Sequence, residues 1–216
     1  MRNNLLIKTG EFILLIFTPY VIPFGTFLVL FLFSYLRIMP WQYKSIVLGI
    51  IFCFTILLPL LFVFLSRLIR GSAWKEPDKQ KNHYLSYFPI IISYIFCSCM
   101  MLRMSIPRYM TAIIVASLFI MIAVFCFNLK WRLSGRMAGV GGIIGALVSF
   151  SALFGHNPIG WLCICILISG VLGTYGIILR RHSFGEVLVG FAIGLAFSLM
   201  VLYPNPLSNM LFEAIS

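Results

Sequence analysis

Residues Met110–Phe127 read MTAIIVASLFIMIAVFCF, eighteen positions without a charged side chain. As an α-helix this run rises about 27 Å, close to the roughly 30 Å of a bilayer's hydrocarbon core. Its apolar residues are continuous rather than alternating with period two, which favours a membrane helix over a barrel strand. Working outward, comparable runs occur at Phe12–Tyr35, Ile46–Leu65, Tyr84–Leu102, Ala138–Phe154, Ile159–Leu179 and Val187–Tyr203. The whole chain is 62% hydrophobic and 10% charged, with a mean hydropathy of +1.07. Soluble domains lie near 45–50% and about 25%. A chain this poor in polar residues cannot cover a water-facing surface, which excludes a disordered protein, a disulfide scaffold and a soluble enzyme. The expected fold is all-α, a polytopic transmembrane helix bundle.

The first run carries Pro19 and Pro23, which break intrahelical hydrogen bonds. It therefore kinks, tilts or re-enters, and the expected number of spans is six or seven. No Ala-x-Ala cleavage site follows it, so it reads as a retained segment rather than a signal peptide. The connections are short, and residues 1–216 form a single integral membrane domain with no separate soluble one. With seven spans, one side holds 12 of the 16 basic residues, and Arg37, Lys44, Arg103 and Arg108 lie on the other. The positive-inside rule makes the richer side cytoplasmic. Ten of those 12 fall on three loops, at 66–83, 128–137 and 180–186, whose charge has a second explanation in anion binding. Orientation therefore stays open.

A net charge of +11 points to nucleic acid, anionic headgroups or a phosphate site. Nucleic acid is a poor match, because no reader motif is present and the polar segments are short. Headgroup attraction needs no special geometry. Clustering on three loops of one face favours the phosphate site. The six cysteines, Cys53, Cys97, Cys99, Cys126, Cys163 and Cys165, all fall inside predicted spans and read as small apolar core residues. Their Cys-x-Cys pairs lack the spacing and the histidine partners of a zinc site, so neither a metal nor a cofactor is expected.

Chemistry concentrates on two of the loops. Arg180-Arg181-His182-Ser183-Phe184-Gly185-Glu186 leads into the last span. If the helix begins near His182, Glu186 lies one turn later on the same face. A carboxylate there holds one imidazole nitrogen and leaves the other as base or nucleophile. The plain alternative is a polar helix start with Glu near the positive end of the dipole. The loop Lys130-Trp131-Arg132-Leu133-Ser134-Gly135-Arg136-Met137 offers a hydroxyl, backbone N–H groups and a guanidinium at a helix entrance, a set that suits phosphate. A surface loop with a Trp anchor has the same composition. Gly139, Gly141, Gly142 and Gly145 follow it, and Gly190-x-x-x-Gly194 repeats the theme, as close helix packing in lipid requires. The loop from Arg67 to His83 carries five cations but no strict motif, and a solvated basic loop is its simplest reading. His156 reads as a loop residue without a role.

The order of these three basic loops, spaced by pairs of helices, resembles the type 2 phosphatidic acid phosphatase superfamily. Leu133-Ser134-Gly135-Arg136 stands where that family has Pro-Ser-Gly-His, and His182 followed by Glu186 is similar to its His-x-x-x-Asp. Val187-Leu188-x-Gly190 continues as family members commonly do. The stretch from Lys130 through Gly142, the proline-containing first span and the basic loop before Tyr84 are similar to a divergent bacterial branch, so the likeness covers nearly the whole chain. Three positions depart from the pattern. The second-motif histidine is Arg136, the third-motif Ser-Arg falls on Tyr175-Gly176, and the first motif has no clear match beyond Lys79 or Lys81.

What the resemblance implies is a lipid phosphatase of a bacterial cytoplasmic membrane that needs no metal or organic cofactor. His182, oriented by Glu186, would attack phosphorus and form a phosphohistidine. Ser134, Gly135 and Arg136, with Arg180, Arg181 and Lys79, would hold the phosphoryl oxygens. Arginine cannot supply a proton near neutral pH. A lipid diphosphate such as a polyprenyl diphosphate, with its less basic leaving group, is then a better substrate than a monophosphate ester. The competing expectation is a silent relative that binds phospholipid or scaffolds a membrane complex. A transporter fits less well, since apart from Arg103 near one helix end the predicted spans carry no charged residue that could mark a pathway. Membrane lipids are the expected partners, and no protein partner is legible.

Overall fold

The computed structural model describes residues 22–33, 40–70, 79–104, 106–130, 133–155, 157–179 and 182–203. Among these residues the regular structure is entirely helical: α1 (Ile22–Phe33), α2 (Trp41–Phe52), a π-helical segment (Cys53–Leu57), α3 (Leu58–Arg70), α4 (Lys79–Arg103), α5 (Arg108–Asn128), α6 (Gly135–Phe154), α7 (Ile159–Ile178) and α8 (Phe184–Leu202). Five stretches are long and apolar enough to cross a membrane: Trp41–Phe62, Arg108–Asn128, Gly135–Phe154, Ile159–Ile178 and Phe184–Leu202. Phe88–Arg103 is a shorter apolar helix, and α1 covers 12 residues of the proline-containing first run. Pro19 lies outside the described residues, whereas Pro23 is the second residue of α1.

Local chemistry accounts for the breaks. Pro40, Pro107 and Pro158 each stand immediately before a helix, where the fixed φ of proline is compatible with helix entry. The π-helical segment sits just before Pro59, which has no N–H to offer the carbonyl four residues back. The amide of Leu58 bonds Cys53 O instead, and the Thr55 hydroxyl donates to Ile51 O at 2.8 Å. α6 ends at Gly155, whose φ of 62° is the left-handed conformation that glycine adopts without strain.

The surface is that of a protein in lipid. Leu167, Phe64, Phe96 and Leu61 lie on it, each with more than half of its area exposed. The spans Arg108–Asn128 and Gly135–Phe154 are 61% and 67% buried inside the bundle, against 22%, 28% and 33% for Trp41–Phe62, Ile159–Ile178 and Phe184–Leu202. α5 and α6 thus form the centre.

α6 and α8 touch backbone to backbone. A methyl group on Gly194 would collide with Ala138 O, one on Gly141 with Phe191 O, and one on Gly190 would lie 2.9 Å from Ser134 O. Farther along, a methyl on Gly145 would lie 2.8 Å from Ser198 Cβ, and the Ser198 hydroxyl donates to Gly142 O at 2.9 Å. These pairs advance in the same direction along both helices. α6 and α8 are therefore parallel, α7 returns between them, and both helix starts lie at one end of the bundle.

Three expectations are corrected here. Lys44, read as a loop cation, is buried on α2, which starts earlier than hydropathy indicates. The cysteines are not all core residues: Cys97 and Cys165 are buried, whereas Cys53, Cys99, Cys126 and Cys163 are exposed on the bundle surface. The loop placed at 128–137 is shorter, because α6 already begins at Gly135.

Since the contact of α6 with α8 leaves no room for a side chain, Gly194→Ala is expected to destabilise the protein by about 1–3 kcal/mol. Gly170→Ala should change stability by less than about 1 kcal/mol, because nothing lies within 4 Å of the added methyl. Thermal unfolding of both variants in detergent checks the contrast.

Candidate functional site

The start of α8 is built by its own side chains. Ser183 is the N-cap, with ψ of 160°, and the Glu186 amide donates to its hydroxyl at 3.4 Å. Glu186 folds back so that Oε2 accepts the Ser183 amide at 3.0 Å, which completes a capping box. The same oxygen lies 3.3 Å from His182 Nδ1. The expected pair therefore forms, but for a different reason: His182 precedes the helix, which begins at Phe184, and the carboxylate reaches it because the capping box turns Glu186 toward the N-terminus. The His182 amide also donates to Gly176 O at 3.4 Å, tying the loop to the end of α7.

A carboxylate at Nδ1 favours the tautomer with the proton there and puts the lone pair on Nε2. About one-fifth of the His182 side chain and 30% of that of Glu186 remain exposed, so an anion can reach the ring. In chemical terms the pair is an oriented imidazole able to act as nucleophile or base.

The start of α6 is built differently. Ser134 is its N-cap and is buried, with 4% of its area exposed. Its hydroxyl makes no capping bond, unlike that of Ser183. The Ser134 side chain thus does not close α6 as that of Ser183 closes α8, and the first turn carries the positive end of the helix dipole. Gly135 and Arg136 are the first two helical residues, and both are partly buried. The preceding loop is latched by the Leu133 amide, which donates to Asn128 Oδ1 at 2.6 Å. Asn128 was not recognised as a site residue; its place at the end of an apolar run, five residues before Leu133, was the available signal.

Parallel packing brings the two starts together at one end. Gly190 lies against Ser134 O, and Glu186 stands one turn, about 6 Å, farther out along α8. Ser134 thus lies about one turn farther along α8 than the His–Glu pair. Tyr175 and Gly176 occupy the last turn of α7, whose end holds the His182 amide. Lys79 is the first residue of α4, and its side chain lies outside the described part of the structure. Arg180, Arg181 and His156 lie outside the described residues. No group of three or more His, Cys, Asp or Glu residues that could hold a metal occurs among the described residues.

Comparison of the chain with protein-family models, with curated proteins and with solved structures gives no match.

Removal of the Ser183 hydroxyl, in Ser183→Ala, is expected to cost about 1 kcal/mol through loss of the cap. Glu186→Ala should cost more, because it removes the other half of the box and the contact with His182. Equilibrium unfolding of the two variants followed by circular dichroism checks the order.

Proposed function

We propose that this protein is a membrane-embedded phosphohydrolase acting on a lipid diphosphate or phosphate, of the kind the sequence resembles. The observation that carries this reading is the parallel placement of an oriented imidazole, His182 on Glu186, at the same end of the bundle as the helix start bearing Ser134, Gly135 and Arg136. One group supplies a nucleophile, and the other supplies donors for phosphoryl oxygens. The reading includes insertion in a bacterial cytoplasmic membrane with six or seven spans, the shorter helices at Ile22–Phe33 and Phe88–Arg103 accounting for those beyond five.

In this reaction His182 Nε2 attacks phosphorus, the P–O bond to the leaving group breaks, and a phosphohistidine forms. Water then cleaves the P–N bond, releases inorganic phosphate and returns the imidazole. Glu186 keeps the ring oriented as positive charge develops on it. The α6 amides, the Ser134 hydroxyl and the Arg136 guanidinium hold the oxygens whose charge grows, with Arg180, Arg181 and Lys79 as further cations. Arg136 binds but does not protonate, so the leaving group departs as its anion. A phosphate-terminated leaving group bears that far better than an alkoxide, which favours a polyprenyl diphosphate over a monophosphate ester.

Phosphate release by purified protein from lipid mono- and diphosphates tests this reading. His182→Ala should abolish release. Diphosphates should be cleaved faster than monophosphates by a factor on the order of 10²–10⁴, the usual worth of a general acid. Equal rates would refute the missing-acid argument. Absence of any His182-dependent release would mark a silent relative that binds phospholipid, a reading that the Arg136, Tyr175 and Gly176 departures favour.

A further inference from the structure

Five helices meet around a cavity of about 30 Å³ inside the bundle. Thr26 of α1, Tyr94 of α4, Ser117 of α5, Gly142 of α6 and Ser198 of α8 stand among the residues that line it. The described lining residues are buried except Ser117 and Gly135, which are partly buried. Ser117 lies near the middle of α5, with about 14 Å of helix between it and Arg108 and about 17 Å between it and Asn128. Bulk water is far from this point, and the surrounding lipid offers no hydrogen bond.

The two serine hydroxyls decide what fits. Each has one proton and two lone pairs. Ser117 gives its proton to Ile113 O at 2.8 Å, and Ser198 gives its proton to Gly142 O at 2.9 Å. With both protons engaged, the two oxygens can only accept. An occupant that bonds them must therefore be a donor, which excludes an anion. None of the described lining residues is charged, so a cation would sit uncompensated in the apolar interior, at a prohibitive cost. A neutral donor remains. The volume matches the share of one molecule in liquid water, about 30 Å³. Cavities lined by apolar side chains alone stay dry, whereas polar groups in the lining hold water.

We infer that this cavity binds one water molecule, which donates to Ser117 Oγ and Ser198 Oγ and so ties α5 to the seam of α6 and α8. The bond from Ser117 to Ile113 O runs within α5 and holds nothing to a neighbour. That from Ser198 crosses from α8 to α6 and already closes the seam. A water between the two serines adds the third helix to this polar tie. Helices in lipid gain little from apolar contact alone, so such a tie supplements close packing where few other attractions act. None of this depends on the reaction proposed for His182.

The test is a crystal structure of the full chain, grown from a lipid phase, at a resolution that shows ordered water. One density peak is expected within about 3.2 Å of both serine hydroxyl oxygens. It should be missing in Ser117→Val, which removes one acceptor and puts a methyl group into the cavity. Equilibrium unfolding in detergent gives a second readout. Where one water serves both hydroxyls, removing the second serine costs less once the first is gone. The fold-loss in the folding equilibrium constant of Ser117→Ala/Ser198→Ala should then be at least about threefold smaller than the product of the two single losses. An empty wild-type cavity, a peak bonded to only one of the two serines, a peak that persists in Ser117→Val, or single losses that simply multiply would each overturn the inference. The wild-type map decides the question even where a variant fails to fold.

Discussion

The contact on which the rest depends is the backbone-to-backbone approach of α6 and α8. In lipid, apolar side chains gain nothing by leaving the solvent for one another, so helices associate through close packing and a few hydrogen bonds. Gly141, Gly145, Gly190 and Gly194 remove the side chains that would hold these two helices apart. The Ser198 hydroxyl then bonds Gly142 O across the seam, 56 residues away in sequence. Because the two helices run parallel, α7 must return between them. The starts of the two helices thereby lie at the same end of the bundle.

The two starts are then built in opposite ways. At α8 the orphan amides meet a carboxylate from the same helix, and that carboxylate also holds an imidazole. Glu186 is thus both a structural cap and the orienting partner of His182. At α6 the N-cap hydroxyl makes no such bond. A cap that satisfies its own helix leaves little attraction for an anion, while a helix start without one retains it. In the proposed reaction, the division of roles between His182 and Ser-Gly-Arg follows from which helix closes itself. In that proposed reaction Arg136, standing where the resembling family has a histidine, belongs to the binding side of the division.

Much of this was legible in the residues. The apolar runs located the helices from Ile46 onward, the glycine pattern foretold a tight seam, and the four-residue spacing of His182 and Glu186 foretold their contact. What escaped was whatever depends on neighbours. Hydropathy averages over a window, so it placed the starts of α2 and α6 late and put Lys44 in a loop. It also cannot tell the inner from the outer side of a helix when both are apolar. Four of the six cysteines accordingly turn outward, although the residue type gives no hint of it. The capping box is not legible when the helix is taken to begin near His182, because Ser183 then does not stand at its boundary as the N-cap.

By itself the sequence determined the solvent, the helical class and the residue types available for chemistry, because these follow from composition and from spacing within a single helix. Tertiary structure alone decided which glycines meet which carbonyls and that α6 and α8 run in parallel. Those outcomes depend on van der Waals fit between residues some 50 positions apart. Fit of that kind is a property of pairs of surfaces, and no single segment encodes it.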